Sequence, residues 1–543
     1  MRVDIRCLGL LTAVLLPVAS GQQGWFVGPQ QSVTGQAGPV TNETGPKTRR
    51  TLSGSVVNSV TGEPIRKALV RTMGVEQRFA FTGADGRFQI EGVAEGPTSV
   101  SAQKPGFLDS AGPGVRPEPF TTSASSSDIL IKLTPEARVR GRVVDSEGEP
   151  VEGLAIQMTL QTIVEGRKQW QPTQSATTNE DGTYRIDNLA SGVYVAQISS
   201  HPVFPAYWNG GQQNTEVYPP QFYPNATDFN TAQRLELKAG QELELDMTLK
   251  PVRGINITGT VSGGGPNGWW VQCDNADGLQ AAVAIQQDGR TGKFVLMDVP
   301  AGSWMLHFQS NDTQGHVFSA EQAIEANGSD ITGLHVQLQP LEPIPVRIVN
   351  GSSPQQNLLV QLIPDSRRWN GGRFQAFPQN GETTEGSLAF QGLQPGTYKL
   401  DAQNMGGGEG CVASATSGST DLLRESLTVT PGSQPAPIEI TLTNDCAQIS
   451  GKIHSSQTHV IGYVILAAES GLREPRVMPV REDGTFSFTN LPPGEYRTYA
   501  FSEIADLEYA NPEAMRDYPA QEIAAGPNEK KEIEIELMER SKP

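Results

Sequence analysis

The chain has little of what site chemistry usually needs. Its 543 residues include 4 cysteines and 6 histidines. Cys7 lies in an apolar leader, and Cys273, Cys411 and Cys446 stand far apart, so no spacing suits a zinc site. A zinc peptidase built on His-x-x-Glu needs a Glu three residues after a His. The residues found there are Phe204, Ser310, Ser319, Leu338, Gln457 and Gly462. There is no His-Glu-x-x-His, no Gly-x-Ser-x-Gly elbow and no phosphate-binding glycine loop closed by Lys-Ser/Thr. Asp274-Asn-Ala-Asp277-Gly278 has part of a calcium loop's composition but lacks the alternating oxygen ligands and the closing Glu. His307 and His335 sit in strand patterns and read as ordinary sheet residues. No metal and no cofactor is expected.

Basic charge is scarce as well. Lys and Arg number 41 against 59 Asp and Glu, for a net charge of −18. Nucleic acid and anionic membrane surfaces both need a basic face, so the charge argues against them as partners. No apolar run of about 18 residues, the length of a membrane-spanning helix, occurs beyond the first 20 positions. Helix signals are few, while Gly 58 and Pro 39 are abundant. That balance favours many short strands joined by turns.

The amino terminus has its own pattern. Residues 1–20 carry Arg2 and Arg6, an apolar core over 8–18, and small residues at Ala19 and Ser20. This predicts a signal peptide and an extracytoplasmic address, in the periplasm, on the outer surface or secreted. The alternative is an uncleaved anchor. Residues 21–50, rich in Gln, Gly, Thr and Pro, read as a flexible leader.

One stretch recurs five times. Its last copy is Arg481-Glu-Asp-Gly-Thr-Phe-Ser-Phe-Thr-Asn-Leu-Pro-Pro-Gly-Glu-Tyr-Arg-Thr-Tyr499. Asp483-Gly484 is a tight-turn pair, because glycine takes positive φ without strain. Phe486 and Phe488 alternate with Thr485 and Ser487, which is a strand with one buried face. Leu491 anchors its exit. Pro493-Gly494 predicts a type II turn with positive φ at the glycine. Tyr496 opens a second strand. The other copies begin at Asp85, Asp181, Thr291 and Glu385. A period of roughly 100 residues is a domain array, since solenoid units run to about 20–50.

Each repeat also has an opening strand and a closing strand. Four opening strands carry a central glycine, at Gly54, Gly141, Gly259 and Gly451; the fourth repeat has Val346-Arg-Ile348-Val349 instead. Closing strands such as Ile129-Leu-Ile-Lys-Leu133 and Ile438-Glu-Ile-Thr-Leu442 alternate strictly, as the outer sheet of a sandwich requires. Domains are predicted at 51–135, 136–252, 253–341, 342–446 and 447–543. Cys411 and Cys446 both fall in the fourth. In an exported chain they read as a disulfide, the alternative being two buried thiols. Cys273 reads as a buried strand residue.

An opening strand, a Gly-x-Pro turn, Asp-Gly-x-[Phe/Tyr]-x-[Ile/Phe] and Leu-x-x-Gly-x-Tyr together resemble the carboxypeptidase regulatory-like domain. The resemblance spans most of 52–537, most clearly in repeats one, two and five. It implies a transthyretin-like (prealbumin-like) sandwich grouped with carbohydrate-binding-like folds, similar to exported acidobacterial multi-domain proteins. The family shares no single reaction. The expected fold class is therefore all-β, a tandem array of five small antiparallel β-sandwiches of Ig-like or prealbumin-like kind. A Lys–Asn crosslink, as in pilin-like adhesive domains, is disfavoured: Lys452 is the only opening-strand lysine, and Ile533-Glu-Ile-Glu-Leu537 has no Asn.

The second repeat departs from the pattern. Residues 201–229 form an insertion rich in aromatics, proline and glycine. Exposed aromatics stack on sugar rings, so Tyr207, Trp208, Tyr218, Phe222 and Tyr223 are the candidate ligand-binding residues. The opposing reading is a strap across its own sandwich or the next domain, its rings buried, and large aromatics usually bury. The functional expectation is a non-enzymatic binding or structural module of the cell envelope, with polysaccharide or an envelope protein as partner. Two other readings stand beside it. One is an enzyme or accessory region whose hydrolytic site is assembled from distant residues. The other is a rigid spacer or adhesion stalk.

Overall fold

The computed structural model describes residues 49–73, 77–94, 96–108, 120–122, 127–202, 216–314, 316–349, 358–364, 373–378, 388–404, 410–430, 435–454, 462–469, 473–481 and 483–540. The expected signal peptide and nearly all of the leader lie outside these residues. Among the described residues there are strands and turns and no helix.

Every sandwich is built around its opening strand. Arg49–Asn58, Ala137–Asp145, Ile255–Ser262, Ile344–Val349 and Ala447–His454 each lie inside a sheet with a partner on both sides. One neighbour is the first strand of the repeated hairpin, running antiparallel: Arg87–Ala94, Thr183–Leu189, Lys293–Val299, Leu388–Phe390 and Thr485–Leu491. The other is the closing strand, running parallel, as in Ser127–Leu133, Ile331–Gln337, Ile438–Thr443 and Lys530–Glu536. The second closing strand is split into Glu242–Glu244 and Met247–Leu249, and both halves keep the parallel pairing. The structure thus adds a parallel pair to sandwiches otherwise built from antiparallel hairpins. First and last strands meet in one sheet after the chain has crossed to the facing sheet, and such a crossover permits a parallel pair.

The facing sheets carry Leu69–Met73 with Gly96–Gln103, Ala155–Val164 with Gly192–Ile198, Trp269–Asp274 with Gly302–Asn311, Leu358–Pro364 with Gly396–Asn404, and Tyr463–Ala468 with Gly494–Phe501. Each sandwich closes over its own apolar core. The closing strands show the expected alternation: Ile129, Ile131 and Leu133 are buried, while Leu130 between them is exposed.

The opening-strand glycine has a steric cause. Gly54, Gly141, Gly259 and Gly451 are the register partners of Phe88, Tyr184, Phe294 and Phe486. A Cβ at these glycines would fall 2.0–2.3 Å from a carbonyl oxygen of the closing strand, at Ile129, Leu245, Leu334 and Ile533. The bare backbone therefore lets the closing strand approach while an aromatic covers the gap. In the fourth sandwich the corresponding pair is Val346 with Leu388, so glycine and aromatic are lost together.

The hairpin's exit turn departs from the expectation. Gly86, Gly182, Gly292 and Gly484 take positive φ as predicted for the first turn, but Gly494 does not at the second. The left-handed residue lies earlier, just before the buried Val or Leu: Gly92, Asn188, Asp298, Gly392 and Asn490. At four of these sites the strand pairing slips by a residue, the signature of a bulge. Gly, Asn and Asp tolerate this conformation best. The turn is then tied by the aromatic that follows it. Tyr194 donates to the Ala190 carbonyl at 2.9 Å, Trp304 to Pro300 at 2.8 Å and Tyr398 to Gln394 at 2.7 Å, and Tyr496 does the same to Pro492. A bulge plus an aromatic tether replaces the type II turn.

Candidate functional site at the junction of the second and third sandwiches

The insertion of the second sandwich follows Gly192–Ile198. It runs through His201–Pro202, Glu216–Tyr218 and Gln221–Phe222, and the chain re-enters the sandwich at Leu235–Leu237. Proline withholds backbone donors, and among the described residues of the insertion the strands are fragments of two or three residues. Tyr207 and Trp208 lie outside the described residues.

The three remaining candidates are placed by packing. Glu216–Tyr218 is the middle strand of a small sheet with His201–Pro202 and with Val252–Arg253, the link into the third sandwich. Tyr218 is 5% exposed and belongs to the core of the second sandwich, and its burial raises the phenol pKa. Phe222 is 2% exposed and packs with Val195, Ala232 and Leu279, the last from the third sandwich. Tyr223 is half-buried against the core of the second sandwich, and its amide donates to the Ala196 carbonyl at 2.9 Å. Neither Tyr218 nor Phe222 presents a ring face to solvent. Burying these rings removes more apolar surface from water than a one-sided sugar contact would.

Two aromatics outside the candidate set complete the cluster. Phe229 meets Phe222 and Trp170 edge-on, at centroid distances of 5.5 and 5.2 Å. The Arg234 guanidinium lies 4.8 Å from the Trp170 centroid and 4.6 Å from that of Phe229, a double cation–π contact. Polar bonds then cross to the third sandwich. The Phe229 amide donates to Asp277 Oδ1 at 3.2 Å, and the Ala282 amide donates to Ser200 Oγ. Asn275 Oδ1 accepts from the amides of Asp277 and Leu279 at 3.0 and 2.9 Å. The calcium-like stretch is thus a turn whose side-chain oxygens bond to protein. The insertion is a strap sealing the second sandwich to the third.

A second constellation lies on the third sandwich. His307 stands on Gly302–Asn311 with Glu321 directly across on Val317–Ala326. Asp274 is its diagonal neighbour on Trp269–Asp274. Nε2 lies 3.1 Å from Asp274 Oδ1, and Nδ1 lies 3.1 Å from Glu321 Oε1. Burial works against the imidazolium, but the bonds and charges of the two carboxylates more than offset it, and the pKa rises to about 9. A histidine charged at neutral pH is neither a general base nor a metal ligand. It is an ion cluster joining three strands. The sequence holds no local signal for it, because the cluster depends on cross-strand register.

Cys273 is 1% exposed in its strand, and burial pushes its thiol up to about 12. Cys411 and Cys446 form a disulfide with Cα atoms 5.8 Å apart. An open depression of about 540 Å³ on the third sandwich lies beside His335, whose Nδ1 is 2.8 Å from Thr260 Oγ1. Among the described residues no group of three His, Cys, Asp or Glu side chains is arranged to hold a metal ion.

Two stretches, residues 51–126 and 138–250, match the family model of the carboxypeptidase regulatory-like domain. No curated protein matches the chain. Solved structures similar to it include the minor pilin GBS52 of Streptococcus agalactiae, at 11% identity over 37% of this chain and 96% of that one, with a TM-score of 0.21. The shaft pilin SpaA of Lactobacillus rhamnosus GG is 9% identical over 38% of this chain and 98% of its own, with a TM-score of 0.20. The major pilin subunit BcpA of Bacillus cereus is 10% identical over 74% and 99%, with a TM-score of 0.13.

Proposed function

We propose that the protein is an exported structural scaffold of the cell envelope, a non-enzymatic, adhesion-type array of five sandwich domains spanning 51–135, 136–252, 253–341, 342–446 and 447–543. One observation carries this reading. Among the described residues, the side chains best suited to a site are spent on structure: Phe222 and Phe229 of the insertion pack in a cluster shared by two sandwiches, and His307 is saturated by Asp274 and Glu321. Its partners are envelope proteins or polymers met over a surface.

A narrower reading makes the array a polysaccharide binder through Tyr207, Trp208 and Tyr223. Its support is that Tyr223 is only half-buried. Retention of the full chain on insoluble polysaccharides separates the two. Retention lost in Trp208→Ala establishes the binder. No retention of the wild type leaves the scaffold. Fractionation of the producing cell tests export, and a chain found wholly in the cytoplasm would remove the envelope from either reading.

A further inference from the structure

The second sandwich carries a hairpin longer than its sandwich needs. Ala155–Val164 and Arg167–Thr177 are 10 and 11 residues long. The corresponding strands of the fifth sandwich, Tyr463–Ala468 and Arg476–Pro479, have 6 and 4. The turn is Glu165-Gly166, with φ of 49° and 73°, the two-residue turn that matches strand twist. Such a tip ordinarily stands in water, yet Gly166 is buried.

The fourth and fifth sandwiches bury it. The Ala510 amide donates to the Gly166 carbonyl at 3.0 Å. A Cβ on Gly166 would lie 2.5 Å from Tyr509 Cδ2, so only glycine seats against that ring. Charges match on either side. Glu165 pairs with Arg373, Arg167 Nη2 lies 2.8 Å from Glu474 Oε1, and Lys168 Nζ lies 2.8 Å from Glu508 Oε1. Arg373 is held in place by Asp401 at 3.2 Å and Gln361 at 3.0 Å. The tip thus reads minus, plus, plus against a socket that reads plus, minus, minus. Glu508, Tyr509 and Ala510 belong to the connection 502–520, a second departure from the repeat, rooted by Leu507 and Met515 against Ile465, Tyr499 and Phe501 of the fifth sandwich's strands.

We infer that the 155–177 hairpin is a releasable latch that folds the array back on itself. The second and third sandwiches are sealed by the strap. The fourth and fifth are joined by Arg473 Nη2 donating to the Val412 carbonyl at 3.1 Å and by Asn528 bonding Asp445 at 3.0 Å. Residues 341–343 join Gln339–Pro340 to Ile344–Val349 between the third and fourth sandwiches, where a Cβ on Gly392 would also lie 3.4 Å from Val317 Cγ2. The latch closes these two pairs into a loop. The strap holds by buried rings, which salt does not weaken. The latch holds largely by ion pairs in which at least one partner is partly exposed, and such pairs weaken as ionic strength rises. The array is therefore closed at low ionic strength and extends when the latch lets go.

Carbodiimide cross-linking of the full chain, read by peptide mass spectrometry, with small-angle scattering of the same samples, tests this. A Lys168–Glu508 cross-link is expected in the monomer fraction. The radius of gyration should rise with salt, and at low salt in Arg167→Glu/Lys168→Glu. Adding Glu474→Lys/Glu508→Lys should restore the compact form. No cross-link together with an unchanged radius would overturn the latch. A cross-link confined to dimers would mean that the hairpin docks between copies and would also overturn it. A monomer cross-link whose radius ignores both salt and charge reversal would make the contact a permanent seal, contrary to the inference.

Discussion

Gly141 and Tyr184 face each other on neighbouring strands, and each explains the other. The Tyr184 hydroxyl donates to the Leu245 carbonyl at 2.7 Å. A Cβ on Gly141 would stand 2.0 Å from that same oxygen and 3.0 Å from Tyr184 Cε1. The glycine opens the space in which closing strand and tyrosine meet.

Gly141→Ala should therefore destabilise the second sandwich by about 1–3 kcal/mol or more, the range for an overfilled core. Tyr184→Phe should cost about 1–3 kcal/mol by stranding a buried carbonyl. Urea unfolding of the two variants checks both. An alanine variant as stable as wild type would refute the steric account.

His307 should make the third sandwich sensitive to alkali. Its folded pKa, about 9, lies above the ordinary 6.5. The group then contributes fully below about pH 6.5, and the contribution disappears as pH rises through about 9, at most on the order of 3 kcal/mol. His307→Gln should lower the melting temperature at pH 6 more than at pH 10. An equal loss at both values would show that the ion cluster contributes nothing.

Reduction of the Cys411–Cys446 disulfide, or Cys411→Ser with Cys446→Ser, should destabilise the fourth sandwich. The bridge closes a loop with a sequence separation of 35. Chain entropy gives about 3–4 kcal/mol for such a loop. Calorimetry with and without reductant measures it, and a melting temperature indifferent to reductant would contradict the prediction.

Phe222→Ala should loosen the strap at a cost of about 3–5 kcal/mol, since it empties a buried aromatic site. Hydrogen exchange should quicken around Leu279 as well as around Val195, because the cluster spans both sandwiches. Exchange changing in the second sandwich alone would mean that the strap does not couple them.

The repeated hairpin was legible because its information is local. Asp483-Gly484 and the alternation of Phe486 and Phe488 state a turn and a buried face within six residues, and both appear in the structure. The exit turn was misread because Pro493-Gly494 has type II composition. The positive φ belongs to Asn490, where strand pairing slips, and Tyr496 holds the turn through Pro492. The connection 502–520 carries no sequence signal of its packing, because Leu507, Tyr509, Met515 and Tyr518 follow no period. Tyr218 and Phe222 lie in a segment that the sequence marked as unusual without revealing which way their rings face.

By itself the sequence determined the all-β class and the repeated hairpin with its one buried face, because turn chemistry and period-two burial act between near neighbours along the chain. Only the tertiary structure decided that Phe222 meets Leu279, that His307 lies between Asp274 and Glu321, and that Gly166 seats against Tyr509. Those relationships join residues tens to hundreds of positions apart. They follow from strand register and from how one sandwich comes to rest on another, and no local pattern encodes either.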